Sequence, residues 1–377
     1  MKKTFRQYHL LKALSAYDQS SLPLDVSLGN YFKHNRALGS KDRKYVAETT
    51  YSMIRWMGLI DHFCQESHAW DERCRIHESL NIEKSLKDTT IPLHIRASFP
   101  KFFFQLLQKH YGDETALKLC LDSNTPAPTT VRVNILKTNR QKLLRLWKEK
   151  FGVITTEKSV FGIVFPQRLN FQTLDEFKKG FFEVQDEASQ LVAGLVDAEP
   201  GDQVLDFCAG SGGKTLAFAH KLQGTGQVYL HDIRKGALQE AKRRLKRAGI
   251  ENCQTLHCDS PQRNRLKGKM DWVLVDAPCS GSGTLRRNPD LKWKFTKEML
   301  DRIRADQQAI FQEALSYLKP GGKIVYATCS ILPEENEEQI LLFQEKMGLD
   351  LAAKPFRTLP KEGGMDGFYA AVLKHRS

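Results

Sequence analysis

Long apolar runs are missing from this chain of 377 residues. A transmembrane helix needs about 18 or more consecutive apolar residues, and neither the opening MKKTFRQYHLLKALSAYDQS nor any later stretch supplies them. The opening segment also lacks the apolar centre of a signal peptide. We therefore expect a soluble, cytoplasmic protein with no membrane partner.

The cysteines number only eight and show no pattern of closely spaced pairs. Cys253 and Cys258 lie near each other, but no second pair and no His-x-x-x-His accompanies them, so the usual spacing of a structural zinc site is missing. Without a signal peptide, a disulfide framework is not expected either. We predict no metal site and expect most of the cysteines to be small buried side chains.

Acidic residues are outnumbered, with 44 Asp plus Glu against 57 Lys plus Arg and a net charge of +13. This balance favours a polyanionic partner, and nucleic acid is the main candidate. A membrane surface would also attract the charge, although no apolar segment supports that alternative. A chain of this length is expected to form two or three compact units, because domains usually contain about 100–200 residues.

Convincing strand runs are absent from the first 125 residues, whose apolar side chains recur at helical spacing, as Leu22, Val26 and Leu28 do. We predict a helical domain over residues 1–125. Several basic residues fall near the junction between two of its helices. A charged loop there could contact phosphate, and an ordinary solvated surface is equally compatible. These residues are Lys33, His34, Arg36, Lys41, Arg43 and Lys44.

Two prolines within residues 124–128 mark the end of the helical region, because closely spaced prolines stop a helix. Beyond them follow the strand-like run TTVRVNIL, a helical stretch over residues 140–150, and the runs VITTEK and GIVFPQ. This alternation predicts a small α+β subdomain over residues 126–190.

Short apolar strands alternate with helices from residue 191 to residue 377. The strand runs are QVLDFC, QVYLHD, CQTLHCD, DWVLVDAPC and KIVYATC, and FYAAVLK adds a late strand. The pattern predicts the α/β class, with a mostly parallel, doubly wound, Rossmann-like sheet. Ligands of such sheets bind at the carboxyl ends of the strands. The residues predicted to lie there are Asp206, Asp232, Asp259, Asp276 and Cys329.

The glycine-rich turn at residues 206–215 follows the first of these strands. A phosphate-binding loop would need glycine where Cys208 stands, and a dinucleotide fingerprint would need glycine where Thr215 stands. S-adenosylmethionine remains the favoured cofactor. Asp232 is then predicted to bind ribose hydroxyls, and the alternative is that it caps the N-terminus of the following helix. Asp259 is predicted to contact the adenine, and a helix N-cap is equally compatible with its position.

Two cysteines, Cys279 and Cys329, follow the fourth and fifth strands and should meet at one mouth of the sheet. Carbon 5 of cytosine accepts a methyl group only after a nucleophile has added to carbon 6, and a thiolate suits that step. Asp276 is the nearest acidic group for hydrogen bonding to the activated base. Methylation of an exocyclic amine is disfavoured, because it typically uses Asn or Asp before Pro-Pro and an aromatic residue, whereas Ala277 and Cys279 occupy these places.

Long ordered motifs carry a family resemblance. They are Arg132-Val133-Asn134, residues 184–189, residues 206–215, the run from 276 to 293 with Arg286-Arg287-Asn288-Pro289-Asp290, residues 326–330, and Asp366-Gly367-Phe368-Tyr369. Over nearly its whole length the chain resembles the RNA cytosine-5 methyltransferases of the NOL1/NOP2/Sun group. The greatest similarity is to the bacterial type that acts on small-subunit ribosomal RNA.

The resemblance implies an S-adenosylmethionine-dependent RNA (cytosine-5) methyltransferase with a class I Rossmann-like fold. Cys329 matches the nucleophile, Cys279 matches the cysteine that assists product release, and Asp276 could serve both the cofactor and the base. The positions that match cofactor contacts are Cys208, Ala209, Gly210, Ser211, Gly212, Gly213, Lys214, Asp232, Asp259 and Asp276. The family loop commonly has Ala-Pro where Gly210-Ser211 stand, so cofactor affinity could differ.

The helical N-terminus, with residues 38–43, is similar to the NusB-like RNA-binding domain of the bacterial ribosomal enzymes. A flipped cytosine carries little information about its surroundings, so this domain is expected to select the RNA. Ribosomal RNA is the favoured partner, and no obligate protein partner is implied. Two alternatives remain open: a transfer RNA cytosine-5 methyltransferase, and a non-catalytic RNA-binding factor of ribosome assembly.

Overall fold

The computed structural model describes residues 3–65, 68–167 and 169–376. The chain divides into two compact units, one formed by Met1–Pro126 with Thr284–Met299 and the other by Ala127–Gly283 with Leu300–Ser377. The division into domains 1–125, 126–190 and 191–377 stays a prediction. Among the helices described, none is both long enough and apolar enough to cross a membrane.

The first unit is helical. Its N-terminal helix begins with a capping box. The Thr4 side chain accepts a hydrogen bond from the backbone amide of Gln7, and the Gln7 side chain accepts one from the backbone amide of Thr4. The third helix starts after Gly39 and is kinked at Trp56. The helices are α1 (Phe5–Asp18), α2 (Leu24–His34), α3 (Ser40–Phe63), α4 (Trp70–Ser79), α5 (Ile82–Lys87), α6 (Leu93–Arg96), α7 (Lys101–Tyr111) and α8 (Asp113–Ser123).

Residues 284–299 pack among these helices, although they are far from them in sequence. The indole of Trp293 donates to the carbonyl of Ile54 at 2.8 Å. Lys292 is fully buried and donates to the carbonyl of Arg55 and the side chain of Asn124, each at 2.7 Å. Half of the run from 276 to 293 therefore serves to complete the helical unit.

The second unit contains a small antiparallel sheet with the order β2-β3-β1-β4. Its strands are β1 (Thr129–Val133), β2 (Ile154–Thr155), β3 (Gly162–Phe165) and β4 (Phe182–Val184), and its helices are α9 (Arg140–Phe151) and α10 (Asp175–Lys178). Trp147 of α9 is buried against Phe165 and Phe182 of the sheet. The predicted strand runs and the helix over 140–150 are present.

The larger sheet of the second unit has the order β10-β12-β9-β8-β5-β6-β7, with β11 also paired to β12. Its strands are β5 (Gln203–Asp206), β6 (Gln227–His231), β7 (Cys253–Leu256), β8 (Met270–Asp276), β9 (Leu318–Thr328), β10 (Leu349–Leu351), β11 (Phe356–Thr358) and β12 (Phe368–His375). The helices are α11 (Glu187–Gly194), α12 (Thr215–Phe218), α13 (Lys235–Ala248), α14 (Gln262–Arg265), α15 (Leu291–Lys294, in the first unit), α16 (Lys297–Leu315) and α17 (Glu337–Met347).

Strands β5 to β9 pair in parallel, whereas β10, β11 and β12 add antiparallel pairs at one side. Successive residues of a strand point to opposite faces. Val204 accordingly packs into the apolar core on one face of the sheet, and its neighbour Leu205 into the core on the other face. This arrangement confirms the predicted α/β fold with a mostly parallel, doubly wound sheet.

Candidate active site

The carboxyl ends of four neighbouring strands form the candidate active site. Strand β8 lies between β5 and β9, and β6 lies on the other side of β5. Asp206 ends β5, Asp276 ends β8, and Cys329 follows β9 directly. Asp232 follows the last residue of β6. The structure therefore brings four of the five predicted strand-end residues to one edge of the sheet.

Asp259 departs from the predicted placement. Strand β7 ends at Leu256, and Asp259 lies in the following turn with 76% of its side chain exposed. It faces His257 and Lys235, at 3.0 and 3.8 Å. The run CQTLHCD predicted a strand that reaches Asp259, but the polar residues at its end favour solvent and the strand ends earlier. Its assignment to the adenine stays a prediction.

The cofactor loop turns on two glycines with positive φ, Gly210 at 53° and Gly212 at 77°. This left-handed region is easily adopted only by glycine. A Cβ on Gly212 would also lie 3.2 Å from the Cβ of Ala241. The amide of Ala209 donates to the carbonyl of His231 at 2.9 Å, so the loop is fastened to the end of the neighbouring strand.

The remaining loop residues have distinct surroundings. Cys208 packs against the apolar core, and burial raises the pKa of its thiol. The carbonyl and hydroxyl of Ser211 accept hydrogen bonds from Arg244 at 2.9 and 2.7 Å. The carbonyl of Gly213 accepts from Gln185 at 3.2 Å, and open space surrounds the position of its missing side chain.

Asp206 is a buried carboxylate at the base of the loop. One of its oxygens accepts a hydrogen bond from Thr215 at 2.7 Å. Its other oxygen, Oδ1, is buried and has no hydrogen-bond partner in the described part of the chain. Burial raises the pKa of Asp206 to about 7, although the Thr215 hydrogen bond opposes the shift.

Lys214 forms an ion pair with Asp276 across the mouth of the sheet. Burial alone would lower the pKa of Lys214, but the charge and hydrogen bond of Asp276 outweigh this effect and the pKa is raised. The ammonium group also lies 5.5 Å from the ring centre of Phe368. The predicted cofactor lysine is therefore held in place as a cation beside a carboxylate.

Asp232 binds protein groups on both carboxylate oxygens. It accepts from the amides of Gly210 and Arg234, each at 2.8 Å, and from the Arg234 guanidinium at 3.0 Å. Burial by itself would raise the pKa of Asp232, but these hydrogen bonds outweigh burial and the pKa is lowered. The N-cap of α13 is Arg234, so Asp232 ties the loop to the next turn without itself being that cap.

The two predicted catalytic thiols meet: the Sγ atoms of Cys279 and Cys329 are 3.3 Å apart. The hydrogen bond between them, burial, and the negative charge of nearby Glu335 raise the pKa of the Cys279 thiol well above its usual value. A thiol that keeps its proton can donate it in a hydrogen bond to a neighbouring thiolate. The raised pKa therefore favours the protonated form of Cys279, whose thiol lies within hydrogen-bonding distance of the Cys329 sulfur.

Backbone hydrogen bonds join the two cysteine loops to a third segment. The amide of Gly283 donates to the carbonyl of Cys329 at 2.9 Å, and the amide of Gly367 donates to the carbonyl of Gly283 at 2.8 Å. A Cβ on Gly283 would overlap the carbonyl of Gly367. A Cβ on Gly367 would in turn lie 2.9 Å from the Cα of Gly283, which gives a physical reason for glycine in the motif at residues 366–369.

Glu335 is a site residue that sequence reasoning missed. It lies in the 3₁₀ turn Pro333–Glu335 after the Cys329 loop and is fully buried. It binds Ser280 and Ser330, the residues that follow the two cysteines. The signal in the sequence is the acidic pair Glu334-Glu335, which follows apolar Leu332 almost directly and precedes a helix. Charged residues so close to an apolar stretch can be buried with it.

The residues around the loop fit S-adenosylmethionine. Its amino acid end carries an α-ammonium group that can donate hydrogen bonds, and Asp206 supplies a buried carboxylate oxygen that lacks a donor in the described residues. The glycines leave the backbone accessible at Gly213. The fold and these residues define a class I S-adenosylmethionine-dependent methyltransferase, in agreement with the predicted cofactor.

Comparison with known proteins identifies the family. The sequence profile described as 16S rRNA methyltransferase RsmB/F matches residues 193–374, and the RsmF/B-like ferredoxin-like domain matches residues 99–172. Probable ribosomal RNA small subunit methyltransferase B of Synechocystis is 31% identical over 314 residues, which are 77% of this chain and 69% of that protein. The chain belongs to the RsmB/F methyltransferase family, which confirms the resemblance inferred from the motifs.

Other similarities agree with this assignment. Ribosomal RNA small subunit methyltransferase B of Vibrio cholerae is 33% identical over 74% of this chain, and the match spans 65% of that protein's length. The probable enzyme of the same name from Bacillus subtilis is 25% identical over 100% of both chains. A crystal structure of a methyltransferase homologue from Pyrococcus horikoshii has a TM-score of 0.66 at 28% identity, over 75% of this chain and 97% of that one.

Proposed function

We propose that this protein is an S-adenosylmethionine-dependent RNA (cytosine-5) methyltransferase that acts on small-subunit ribosomal RNA through a covalent bond between Cys329 and carbon 6 of the base. The observation that carries the proposal is the pair of thiols, with sulfurs 3.3 Å apart, at the ends of adjacent parallel strands. A cofactor loop borders the same edge of the sheet. A non-catalytic assembly factor would have no use for this arrangement.

Cys329 would act as the nucleophile because carbon 5 of cytosine is too weak a nucleophile by itself. Addition of the Cys329 thiolate to carbon 6 forms an S–C bond and moves electron density onto carbon 5. The Cys279 thiol, whose pKa is raised, would keep its proton and could donate it in a hydrogen bond to the Cys329 sulfur.

Bound S-adenosylmethionine supplies an electrophilic methyl group on a sulfonium. Asp276, at the end of β8 and paired with Lys214, would hydrogen-bond to the ring nitrogen and amine of the activated base. After methyl transfer, a base removes the carbon 5 proton, and the Cys329 thiolate leaves as the carbon 5–carbon 6 double bond forms again. Cys279, once it has released its own proton to water, and an ordered water are the two candidates for that base.

Small-subunit ribosomal RNA is the proposed substrate because the relatives from Vibrio cholerae and Synechocystis are named ribosomal RNA small subunit methyltransferases. The helical unit offers a basic surface. Four exposed basic residues lie at the end of α2, in the connecting loop and in the first turns of α3: Lys33, Arg36, Lys41 and Lys44. Such a cluster suits contacts with phosphate, and the activity would belong to the cytoplasm.

The substrate is tested by mapping 5-methylcytosine by mass spectrometry in RNA from cells with and without the protein. Loss of one site in small-subunit ribosomal RNA is expected. Loss of a transfer RNA site alone would change the substrate but keep the chemistry. No change in any RNA would overturn the proposed activity.

The covalent step is tested with Cys279→Ala, which should accumulate a protein–RNA adduct because release of the base is slowed. Cys253→Ala is the matched control, since Cys253 lies on β7, away from the thiol pair. The adduct should appear on denaturing gels with the first variant and not with the second. An adduct that persists in the Cys279→Ala/Cys329→Ala double variant would contradict Cys329 as the nucleophile.

A further inference from the structure

Glu335 accepts four hydrogen bonds although it is shielded from solvent. Its Oε1 accepts from the amide of Ser280 at 2.8 Å and from Gln307 at 3.1 Å. Its Oε2 accepts from the hydroxyls of Ser280 and Ser330, each at 2.5 Å. An ionised carboxylate is an acceptor only, so four donors suit the charged form, whereas burial raises the pKa of Glu335.

The two serines connect this carboxylate to the chemistry. Ser280 directly follows Cys279, and Ser330 directly follows Cys329. One side chain therefore binds both loops that carry the thiols. Ser282 adds a further link, because its hydroxyl lies 2.9 Å from that of Ser330 and accepts from the amide of Ile331 at 3.0 Å.

Glu335 is itself held from several sides. Its carbonyl accepts from the hydroxyl of buried Tyr326 on β9 at 2.8 Å. Gln307 of α16 also donates to the carbonyl of Pro278 at 3.0 Å, and Gln339 of α17 donates to Gln307 at 3.0 Å. The carboxylate is thus fixed relative to the sheet and to two long helices, which makes it a rigid reference point for the two cysteine loops.

We propose that Glu335 is a positioning residue that sets the separation and orientation of the Cys279 and Cys329 sulfurs by holding the two loops on one buried carboxylate. Its catalytic consequence rests on the proposed function, whereas its effect on the thiol pair does not. Gln has the same shape but places an N–H donor against two hydroxyls whose oxygens already accept from the amides of Ser282 and Leu332. One loop would then lose its partner, and the sulfurs would sample larger separations.

The geometric part is tested by thiol–disulfide exchange. Oxidised glutathione accepts two electrons and two protons from the Cys279 and Cys329 thiols, giving one protein disulfide and two molecules of glutathione. The equilibrium ratio of disulfide-linked to reduced protein, at a known ratio of oxidised to reduced glutathione, measures the effective concentration of the two thiols. It is read by mass spectrometry of the peptide that contains the Cys279–Cys329 link.

Glu335→Gln should lower this effective concentration about tenfold, because proximity depends on fixed geometry. Glu338→Gln is the matched control, because it removes the same charge from the same stretch of chain. The Glu338 side chain contacts Arg304 and not the serines, so this variant should leave the ratio unchanged. Ser330→Ala frees one loop and keeps the carboxylate, which gives a second variant should Glu335→Gln fail to fold. An unchanged ratio in a folded Glu335→Gln or Ser330→Ala protein would overturn the proposal.

The catalytic part is tested by steady-state kinetics with RNA. Glu335→Gln should lower kcat about 100-fold with little change in KM, because misplacement of a reacting group by about 1 Å has effects of that size. A general structural defect would instead raise KM or lower cofactor affinity, and that pattern would count against positioning. If the wild-type protein shows no methyl transfer, the proposed function fails while the exchange measurement still decides the role of Glu335.

Discussion

Two parts of the candidate site differ in how firmly they are held. The cysteine end, formed by the loops at residues 277–283 and 329–336, is joined by buried hydrogen bonds to Glu335 and by backbone contacts to Gly283 and Gly367. The aspartate end, formed by residues 232–234 and 257–261, is more open, and Asp259 is largely exposed. Both ends follow strands of one sheet.

The contrast reflects the two tasks proposed for the site. A covalent step needs reacting atoms within a few tenths of an ångström of their working positions, and most of the cysteine end is accordingly buried and cross-linked by hydrogen bonds. A diffusing cofactor must enter and leave, so the aspartate end is accessible. Single substitutions should therefore have larger effects at the cysteine end.

The largest effect is expected for Cys329→Ala, which removes the nucleophile. Methyl transfer to RNA should fall by on the order of 1000-fold or more, equivalent to about 4 kcal/mol of activation free energy. Transfer of a radiolabelled methyl group measures the rate, and calorimetry with S-adenosylmethionine should show unchanged affinity. Undiminished methyl transfer by this variant would refute the covalent mechanism.

The next effect concerns the dependence of stability on pH and arises from Asp206. Its pKa is raised to about 7 in the folded protein, so its protonated form is stabilised there. The resulting contribution to the free energy of unfolding is complete below the unfolded pKa of about 4. It is lost as the pH rises to about 7, and the total loss is at most about 4 kcal/mol. The cofactor-free Asp206→Asn protein should lack this loss, as urea unfolding from pH 4 to pH 8 would reveal. Parallel curves for the two proteins would contradict the assignment.

A smaller loss of stability is expected for Gly283→Ala at the cysteine end. The added methyl group overlaps the carbonyl of Gly367, and such overpacking costs about 1–3 kcal/mol. Gly236→Ala, in α13 directly after residues 232–234 of the aspartate end, is the control. No atom lies within 4 Å of the position that its added methyl group would take, and the helix should gain about 0.5–1 kcal/mol. Equal unfolding free energies for the two variants would remove the contrast between the ends.

The smallest effects are expected within the aspartate end itself. Asp232→Asn should weaken binding of S-adenosylmethionine about tenfold, because a hydrogen bond to a charged group contributes about 1.5 kcal/mol or more. Asp259→Asn should weaken it less than about twofold, since its side chain is mostly solvated. Calorimetry of both variants measures the difference. A larger loss for Asp259→Asn would indicate that the turn closes over the bound cofactor.

Much of the sheet could be predicted, because strand periodicity and alternation with helices are local properties. The short strands β10 and β11 could not, since their few residues carry no clear pattern and they form only by pairing with β12. The extent of β7 was also predicted too long. Its last residues are polar, and only the surrounding structure decides whether such a stretch stays paired.

The candidate site divides in the same way. Asp206, Asp276 and Cys329 could be placed from strand ends alone, because parallel strands share one carboxyl edge. Glu335 could not, because the sequence shows two adjacent glutamates and does not tell that both are buried or that Glu335 binds the serines beside the two cysteines. The packing of residues 284–299 among the helices likewise depends on buried contacts such as that of Trp293 with Ile54.

By itself, the sequence determined the alternation of the main strands and helices, most of the residues at the strand ends and the chemical types present, because these follow from local periodicity and residue identity. Only the tertiary structure decided that the sulfurs of Cys279 and Cys329 come within 3.3 Å and that Glu335 binds both of their loops. The physical reason is that these contacts join segments separated by about 50 residues. Their distance depends on sheet register and on buried hydrogen bonds that form only when the strands have assembled.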